Sequence, residues 1–461
     1  MTSQQRLVLA IAILASFVAF LDGSVVNVAL PAISKELGGG LSTQQWVVDA
    51  YLITLGALIL VAGSLSDVYG RVVIIRVGLW GFGVTSLLCA LAPNAEILIV
   101  SRGLQGIAGA LLVPSSLAII MSNFRGVAQA KAIGSWTAWT SAAFIAGPVV
   151  GGLFVDMVSW RLVFAINLLP IAVTILLLLK VEQKDERDRS MRIDFAGAAL
   201  AIVGVGAPVF ALIEQGNFGW ASPVIWVPMV VGVLAFAAFL WRQATAKQPM
   251  MPLALFRVRN FAVGNLATFF VYGALGMSGF VIVVFLQQTG GWPATLAGIA
   301  VLPVTVILML LSRIFGGLSG RHGPRLFMAV GPILAGLGHL LMLTVTAEVN
   351  YWWQLLPGIL LFGVGLAITV APLTSAILGS ISEKQSGIGS AINNAVARVA
   401  GLVAVAMLGI IVASKLDLDG MHRGLLVCAV LLIVGGAISA IGIQNPAKVP
   451  AEAAGNVQPD Q

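Results

Sequence analysis

Charged residues are scarce in this chain of 461 residues. Asp, Glu, Lys and Arg together make up 9% of the sequence, whereas soluble domains carry roughly 25%. Cysteine is almost absent, since only Cys89 and Cys428 occur, far apart and each within an apolar segment. The composition therefore excludes a soluble domain, and the cysteines offer neither a disulfide framework nor a metal-binding spacing.

What the sequence has instead is a succession of apolar segments. Hydrophobic residues account for 59% of it, and many runs are long enough to cross a hydrocarbon core of ~30 Å at ~1.5 Å per residue. The first run continues past Asp22 without a small-residue cleavage site, so we interpret it as a spanning helix and not a signal peptide. We predict an all-α polytopic membrane protein with fourteen helices, which begin near residues 7, 45, 74, 97, 134, 161, 195, 223, 260, 294, 325, 353, 389 and 424.

The distribution of positive charge predicts an orientation. If the N-terminus is cytoplasmic, most of the 25 lysines and arginines fall on the cytoplasmic side. That bias favours a cytoplasmic position for both termini. We expect a multi-pass protein of a bacterial cell (plasma or inner) membrane. The bias also explains the net charge of +7 without a nucleic-acid partner.

An internal repeat divides the chain. GSLSDVYGR begins at Gly63, and GGLSGRHGP begins at Gly316 after eight further predicted helices. Two parallel repeats of this kind are typical of transporters. We predict two pseudo-symmetric six-helix bundles, two extra central helices, a charged cytoplasmic linker and a disordered cytoplasmic tail. Their respective ranges are 1–180 and 243–445, 195–242, 181–194 and 446–461.

Five motifs carry a resemblance to a known family. They are LDGSVVNVALPAI (21–33), GSLSDVYGR (63–71), SRGLQGIAGA (101–110), GPVVGG (147–152) and WRLVFAINLLP (160–170). Because the five motifs occur together and in this order, the chain resembles the fourteen-helix drug/proton antiporters of the major facilitator superfamily. The resemblance implies the major facilitator fold, and it implies multidrug efflux, hence antibiotic resistance, by exchange for protons.

Asp22 and Arg102 are the main candidates for proton coupling. Counting along the first and fourth helices places both about 8 Å below the outer face of the membrane core. Charges at that depth are costly and usually face a transport pathway. We predict that Asp22 exchanges a proton under the influence of Arg102, and that the ionised carboxylate favours a cationic substrate. The alternatives are a static ion pair between two helices and an interfacial carboxylate that reaches headgroup water.

Asp22 and four other polar residues are candidates for a substrate cavity. Arg398 has no obvious acidic partner in its half of the sequence, so we expect it to bind an anionic group or main-chain carbonyls. Asp49 and Glu214 lie near the outer surface, where plain solvation is the alternative. Asn27 lies further out than Asp22 and could instead reach headgroups or neighbouring backbone.

The loop GSLSDVYGR is a candidate cytoplasmic gate. Gly63 and Gly70 permit a tight return between two helices. Asp67 lies four residues before Arg71 and could also meet Arg125 at the end of the fourth helix. We predict, and the resemblance implies, that this pairing holds the two halves closed. The alternative is a positive loop that only fixes topology.

The segment GPVVGG is a candidate hinge. Gly147 and Gly151 share one helix face, Gly152 follows, and Pro148 removes one helical hydrogen bond. The residues alone predict close helix packing. The resemblance to antiporters adds the hinge.

The leading functional prediction is secondary active export by alternating access. We expect hydrophobic, cationic drugs or toxic compounds to leave in exchange for protons, through a monomer in the lipid bilayer that needs no cofactor. An endogenous metabolite or a neutral antibiotic is the alternative substrate. An ATP-driven pump would need a Gly-Lys pair in its phosphate loop, which is absent. A receptor or an intramembrane enzyme is the remaining alternative, although the histidines are scattered at His322, His339 and His422.

Overall fold

The computed structural model describes residues 1–181, 193–412 and 416–445. Helices dominate these ranges, and none of the described residues forms a strand. Most of the predicted linker and all of the predicted tail lie outside the described residues. The fold is all-helical, as predicted.

Thirteen helices among the described residues are long and apolar enough to cross a membrane, and a shorter apolar helix lies after the fifth of them. Each predicted segment is occupied by one of these helices. In chain order they are α1 Ser3–Leu37, α2 Gly40–Tyr69, α3 Arg71–Ala90, α4 Ala95–Asn123, α5 Gly126–Met157, α6 Leu162–Leu178, α7 Phe195–Phe218, α8 Pro223–Thr245, α9 Arg259–Gln288, α10 Ala294–His322, α11 Pro324–Thr344, α12 Tyr351–Leu378, α13 Ser386–Ile411 and α14 Leu418–Gly442.

The first six and the last six helices pack in the same way. In the first half, α1 contacts α4, α5 and α6, while α2 contacts α4, and α3 contacts α4 and α6. In the second half, the equivalent contacts join α9 to α12, α13 and α14, α10 to α12, and α11 to α12 and α14. Gly70 and Gly323 precede α3 and α11 with φ angles of 103° and 84°, a conformation that favours glycine. The repeated motif therefore builds the same turn in both halves.

Helices α7 and α8 form a pair beside this arrangement. They pack on each other, and α7 also contacts α2 and α13. Asp194 lies directly before α7 and connects the two helices. Its carboxylate accepts hydrogen bonds from the Gly197 amide of α7 at 2.8 Å and from Arg242 of α8 at 2.6 Å. The extra pair thus covers the contact of α2 with α13 from one side.

The seam of α5 with α10 joins the two halves through closely packed backbone. A Cβ at Gly152 would lie 2.4 Å from the Cα of Thr295, and one at Gly298 would lie 2.7 Å from the carbonyl of Pro148. The Asp156 carboxylate accepts hydrogen bonds from the first amides of α10, at 2.8 Å each. This seam lies at the end of the bundle predicted to face outward, called here the outer end.

The seam of α2 with α13 is built differently. Gln45 donates to the carbonyls of Val405 and Ala406 at 2.6 and 3.1 Å. A further bond runs between the halves from Gln287 of α9 to the Val28 carbonyl of α1, at 3.1 Å. Among the described residues, the hydrogen bonds between α1–α6 and α9–α14 thus lie at the outer end.

Candidate functional site

A buried polar network surrounds Asp22 in the first half. The carboxylate, on α1, lies 2.6 Å from the Arg102 guanidinium of α4. It also accepts hydrogen bonds from the side-chain amides of Gln105 and Asn167, at 3.1 and 2.9 Å. Gln105 donates in addition to Ser86 of α3 at 2.9 Å. The structure therefore brings together the two charges that the sequence placed at one depth, and α1, α3, α4 and α6 meet around them.

Arg102 connects this network with a central cavity. Its Nε donates to the Val47 carbonyl at 2.9 Å, and its guanidinium carbon lies 4.3 Å from the centre of the Tyr51 ring. Arg102 lines the cavity, whereas Asp22 is not among the lining residues. The carboxylate thus lies behind the guanidinium as seen from the cavity.

The cavity has a volume of about 160 Å³ and lies between the two halves. Side chains of α1, α2, α4 and α5 line one part of it, and side chains of α9 and α13 line the other. The polar residues among them are Asn27, Tyr51, Arg102, Asn394 and Arg398. None of the described residues that line the cavity is acidic.

The predicted cavity residues fall into two groups. Asn27 and Arg398 line the cavity, while Asp22, Asp49 and Glu214 do not. Arg398 makes no ion pair with any described residue, in line with the absence of an acidic partner in its half of the sequence. The cavity is therefore positive where the sequence led us to expect carboxylates.

Asp49 and Glu214 have different surroundings from those expected of solvated residues. Asp49 is fully buried in α2, and neither carboxylate oxygen has a hydrogen-bond partner among the described residues. Glu214 accepts hydrogen bonds from Trp46 at 2.7 Å and Ser42 at 3.1 Å. Glu214 thus attaches α7 to the outer part of α2.

The loop predicted as a gate contains one of its two predicted ion pairs. Asp67 and Arg71 lie 3.5 Å apart. Arg125 instead donates to two main-chain carbonyls near the end of α4, and it forms no ion pair with Asp67. Both residues belong to the first half, so a bond between them would not join the halves. Of the loop glycines, Gly70 has the positive φ of 103°, while a Cβ at Gly63 would meet nothing within 4 Å.

The segment predicted as a hinge lies where α1, α5 and α10 meet. A Cβ at Gly147 would lie 2.0 Å from the Ser24 hydroxyl of α1, and one at Gly151 would lie 2.5 Å from a Val25 methyl. Gly152 and Pro148 face α10 instead, and α5 continues through the proline as one helix. The glycines therefore let α5 pack tightly against both a helix of its half and a helix of the other half.

Sequence reasoning missed the neutral members of the site. Gln105 follows Arg102 by three residues and so shares its helix face, a signal that was available. Asn167 lies between the two helical parts of α6, Leu162–Ala165 and Leu168–Leu178, where no pattern marks it. Asp156 was also missed, because an acid at a helix end ordinarily indicates solvation.

Comparison with proteins of known function agrees with the fold. The chain is 34% identical over 425 residues to the multidrug resistance protein Stp of Mycobacterium tuberculosis, covering 90% of this chain and 78% of that protein. It is 33% identical to the methylenomycin A resistance protein of Bacillus subtilis, with 88% and 87% covered. It is 32% identical to the tetracenomycin C resistance and export protein of Streptomyces glaucescens, with 86% and 73% covered.

Among solved structures, a D-xylose–proton symporter superposes with a TM-score of 0.70 at 12% identity, covering 96% of this chain and 99% of that one. At that identity the likeness concerns the fold. The model of the Major Facilitator Superfamily matches residues 12–405 and, in a second match, 264–458. The protein is a transporter and not an enzyme, and it is a multi-pass protein of the cell membrane. The chain belongs to the Major Facilitator Superfamily.

Proposed function

We propose that this protein exports small hydrophobic drugs or antibiotics from the cytoplasm in exchange for protons. The names of its relatives, which include resistance and export proteins, support the export of such compounds. The observation that carries the proposal is the buried Asp22–Arg102 pair, 2.6 Å apart, directly behind the cavity. In this proposal the proton is the coupling ion, no cofactor takes part, and the monomer is the working unit.

The physical basis is the charge balance inside the first half. With Asp22 ionised, the pair is neutral, and further hydrogen bonds from Gln105 and Asn167 satisfy the carboxylate. A proton on Asp22 would remove the counter-charge of Arg102, and a buried charge without a partner is costly. Protonation therefore favours a rearrangement of Arg102, which also lines the cavity.

The position of Asp22 links this local change to the two halves. Asp22 lies on α1, and α1 contacts α9 of the second half as well as α4 and α5 of its own. A change in the packing of α1 on α4 thus acts on the seam between the halves. In the proposed cycle, α1–α6 and α9–α14 rock about the central cavity, as is common in transporters with repeats.

The remaining motifs have places in the same proposal. In this proposal, the close packing of α5 against α1 and α10 that Gly147, Gly151 and Gly152 permit makes this segment the hinge between the halves. In the proposed orientation, the Asp67–Arg71 pair belongs to the inner closure. It contributes through the shape of the loop, because it does not itself bridge the halves.

The test is transport by reconstituted protein in vesicles with an imposed pH gradient. A panel of cationic, neutral and anionic compounds, with puromycin and tetracenomycin C among them, keeps the result independent of substrate charge. We expect the gradient to drive export by the intact protein. Asp22→Asn should lose the stimulation of export by the gradient, while a thermal unfolding transition shows that the variant is still folded.

Glu348→Gln is the matched control, because Glu348 is an exposed acid outside the helices. It should behave like the intact protein. Undiminished gradient stimulation in Asp22→Asn would remove Asp22 from the coupling step. Failure of the intact protein to respond to the gradient for every compound of the panel would overturn proton coupling itself.

A further inference from the structure

We propose that the central cavity binds an aromatic acid in its anionic form, and that Arg398 receives the acidic group. The inference rests on the proposed export function and specifies the class of its substrate. It departs from the cationic substrate that the sequence led us to expect.

The first argument is the charge of the cavity. Arg102 and Arg398 are the charged residues among its described lining, and no carboxylate lines it. Arg102 is already neutralised by Asp22 at 2.6 Å, whereas Arg398 makes no ion pair with a described residue. The cavity wall therefore carries one uncompensated positive charge. A cationic compound would be repelled there, and an anion would supply the missing counter-charge.

The second argument is the way in which Arg398 is held. It lies on α13, and its Cβ is 3.4 Å from the position that a Cβ would take at Gly56 of α2. Its guanidinium carbon lies 6.0 Å from the centre of the Phe20 ring of α1. The side chain thus extends from one half of the protein toward the other across the cavity. The planar guanidinium has donors spaced for a carboxylate, which it binds with two parallel hydrogen bonds.

The third argument is the aromatic surface beside the charge. Phe20 contacts Phe144 of α5, with ring centres 5.6 Å apart at an angle of 57°, and Phe280 of α9 also lines the cavity. Aromatic rings prefer such offset or tilted neighbours. The volume of about 160 Å³ resembles the ~150 Å³ apolar cavity that binds benzene in an engineered protein. A ring bearing an acidic group therefore fits both the apolar wall and Arg398.

Two neutral amides add hydrogen-bonding capacity to the cavity lining. Asn27 lines the cavity from α1, and Asn394 lines it one turn before Arg398 on α13. Amides accept and donate hydrogen bonds, so they suit hydroxyl or carbonyl substituents of the same aromatic compound. The transport of an anion out of a negative cytoplasm is also favoured by the membrane potential.

The experiment compares two probes of equal shape and opposite charge. Radiolabelled benzoate and benzylammonium are titrated onto the full-length protein in detergent, and binding is measured by scintillation proximity. We expect saturable binding of benzoate and at least tenfold weaker binding of the ammonium probe. Arg398→Gln should weaken benzoate binding at least tenfold, while Arg398→Lys, which keeps the charge, should retain part of it.

Arg423→Gln is the charge-matched control, because Arg423 is exposed at the outer start of α14, and it should bind benzoate as the intact protein does. Equal or tighter binding of the ammonium probe, or an undiminished affinity in Arg398→Gln, would overturn the assignment, as would the absence of benzoate binding. Because the measurement is of binding without a gradient, these outcomes leave the export test in vesicles to be judged separately. Loss of folding in Arg398→Gln would be seen as a lowered melting temperature, and the two probes on the intact protein then decide.

Discussion

The two halves of the molecule share their helix packing but differ at their centres. The repeat that aligns Gly70 with Gly323 also aligns Ser86 of α3 with His339 of α11. Ser86 belongs to the network of Asp22 and Gln105, which joins the first, third and fourth helices of its half.

His339 joins the same three helices of the second half. It lies 2.8 Å from the Ser278 hydroxyl of α9 and 4.5 Å, between ring centres, from Phe362 of α12. No acid, lysine or arginine takes part in these contacts. The fold thus forms with a neutral centre in one half, so the ion pair of the other half is not required by the architecture. This difference is the structural reason for assigning a function to Asp22 and Arg102.

The largest expected effect comes from breaking the charged centre. Arg102→Met leaves the Asp22 carboxylate buried without its counter-charge, and removal of one partner of a buried pair costs about 3–5 kcal/mol. The equivalent change in the neutral centre, His339→Leu, removes hydrogen bonds to Ser278 and a main-chain carbonyl, at about 1–3 kcal/mol. Thermal unfolding in detergent should therefore show a larger decrease in melting temperature for Arg102→Met than for His339→Leu.

A double variant sharpens this comparison. Asp22→Asn in the Arg102→Met background removes the orphaned charge and should recover part of the lost stability. If Arg102→Met and His339→Leu prove equally stable, or if the double variant recovers nothing, the two centres do not differ in the way that their charges indicate.

The sequence predicted the depth of Asp22 and Arg102 in the membrane better than the direction in which their side chains point. Helix rise is fixed, so counting residues placed Asp22 and Arg102 at one level, and they are 2.6 Å apart. Which way a side chain points was not predictable, because a spanning helix is apolar on every side and has no polar face to mark its orientation. Asp22 consequently turned out to lie behind Arg102, away from the cavity lining.

Contacts between distant segments were the other limit. The charges of Asp67 and Arg125 suggested a pair, but Arg125 donates instead to main-chain carbonyls at the end of α4. Asp156 was unremarked because its partners are amides of α10, which carry no sequence signal. Helix positions follow from composition, whereas partners depend on how the helices pack.

An intermediate effect is expected from the seams at the outer end. Asp156→Ala removes three hydrogen bonds to the first turn of α10, two from amides and one from the Thr295 hydroxyl, and loss of such a cap costs about 0.5–2 kcal/mol. Gln45→Ala removes one amide shared between two carbonyls, worth about 0.5–1.5 kcal/mol. Asp156→Ala should therefore shift the protein toward an outward-open arrangement more than Gln45→Ala does.

Double electron–electron resonance can measure this opening as the distance between two spin labels. The labels are placed at Val158 and Leu296, which are both exposed. The long-distance population should rise severalfold in Asp156→Ala and less in Gln45→Ala. A distance distribution unchanged by Asp156→Ala would show that the glycine packing of α5 on α10 alone keeps this seam closed.

The smallest effect concerns Asp194, an ion pair at the surface that contrasts with the buried pair of Asp22. Burial raises the pKa of Asp194, but hydrogen bonds from the Gly197 amide, Arg242 and Gln243, with the charge of Arg242, outweigh it and hold the pKa below its ordinary value. A carboxyl whose pKa is lower in the folded state stabilises the protein at neutral pH and loses that contribution as the pH falls through the folded pKa. The window therefore lies below about pH 4.

Asp194→Asn isolates this charge, because asparagine also caps a helix N-terminus. Arg242 is 42% exposed, so solvent screening limits the pair to about 0–1 kcal/mol. The intact protein should melt slightly above Asp194→Asn at pH 6, and the difference in melting temperature should narrow as the pH falls below about 4. A difference that does not change with pH below about 4 would mean that the α7–α8 pair is held at this point by the shape of the side chain and not by its charge.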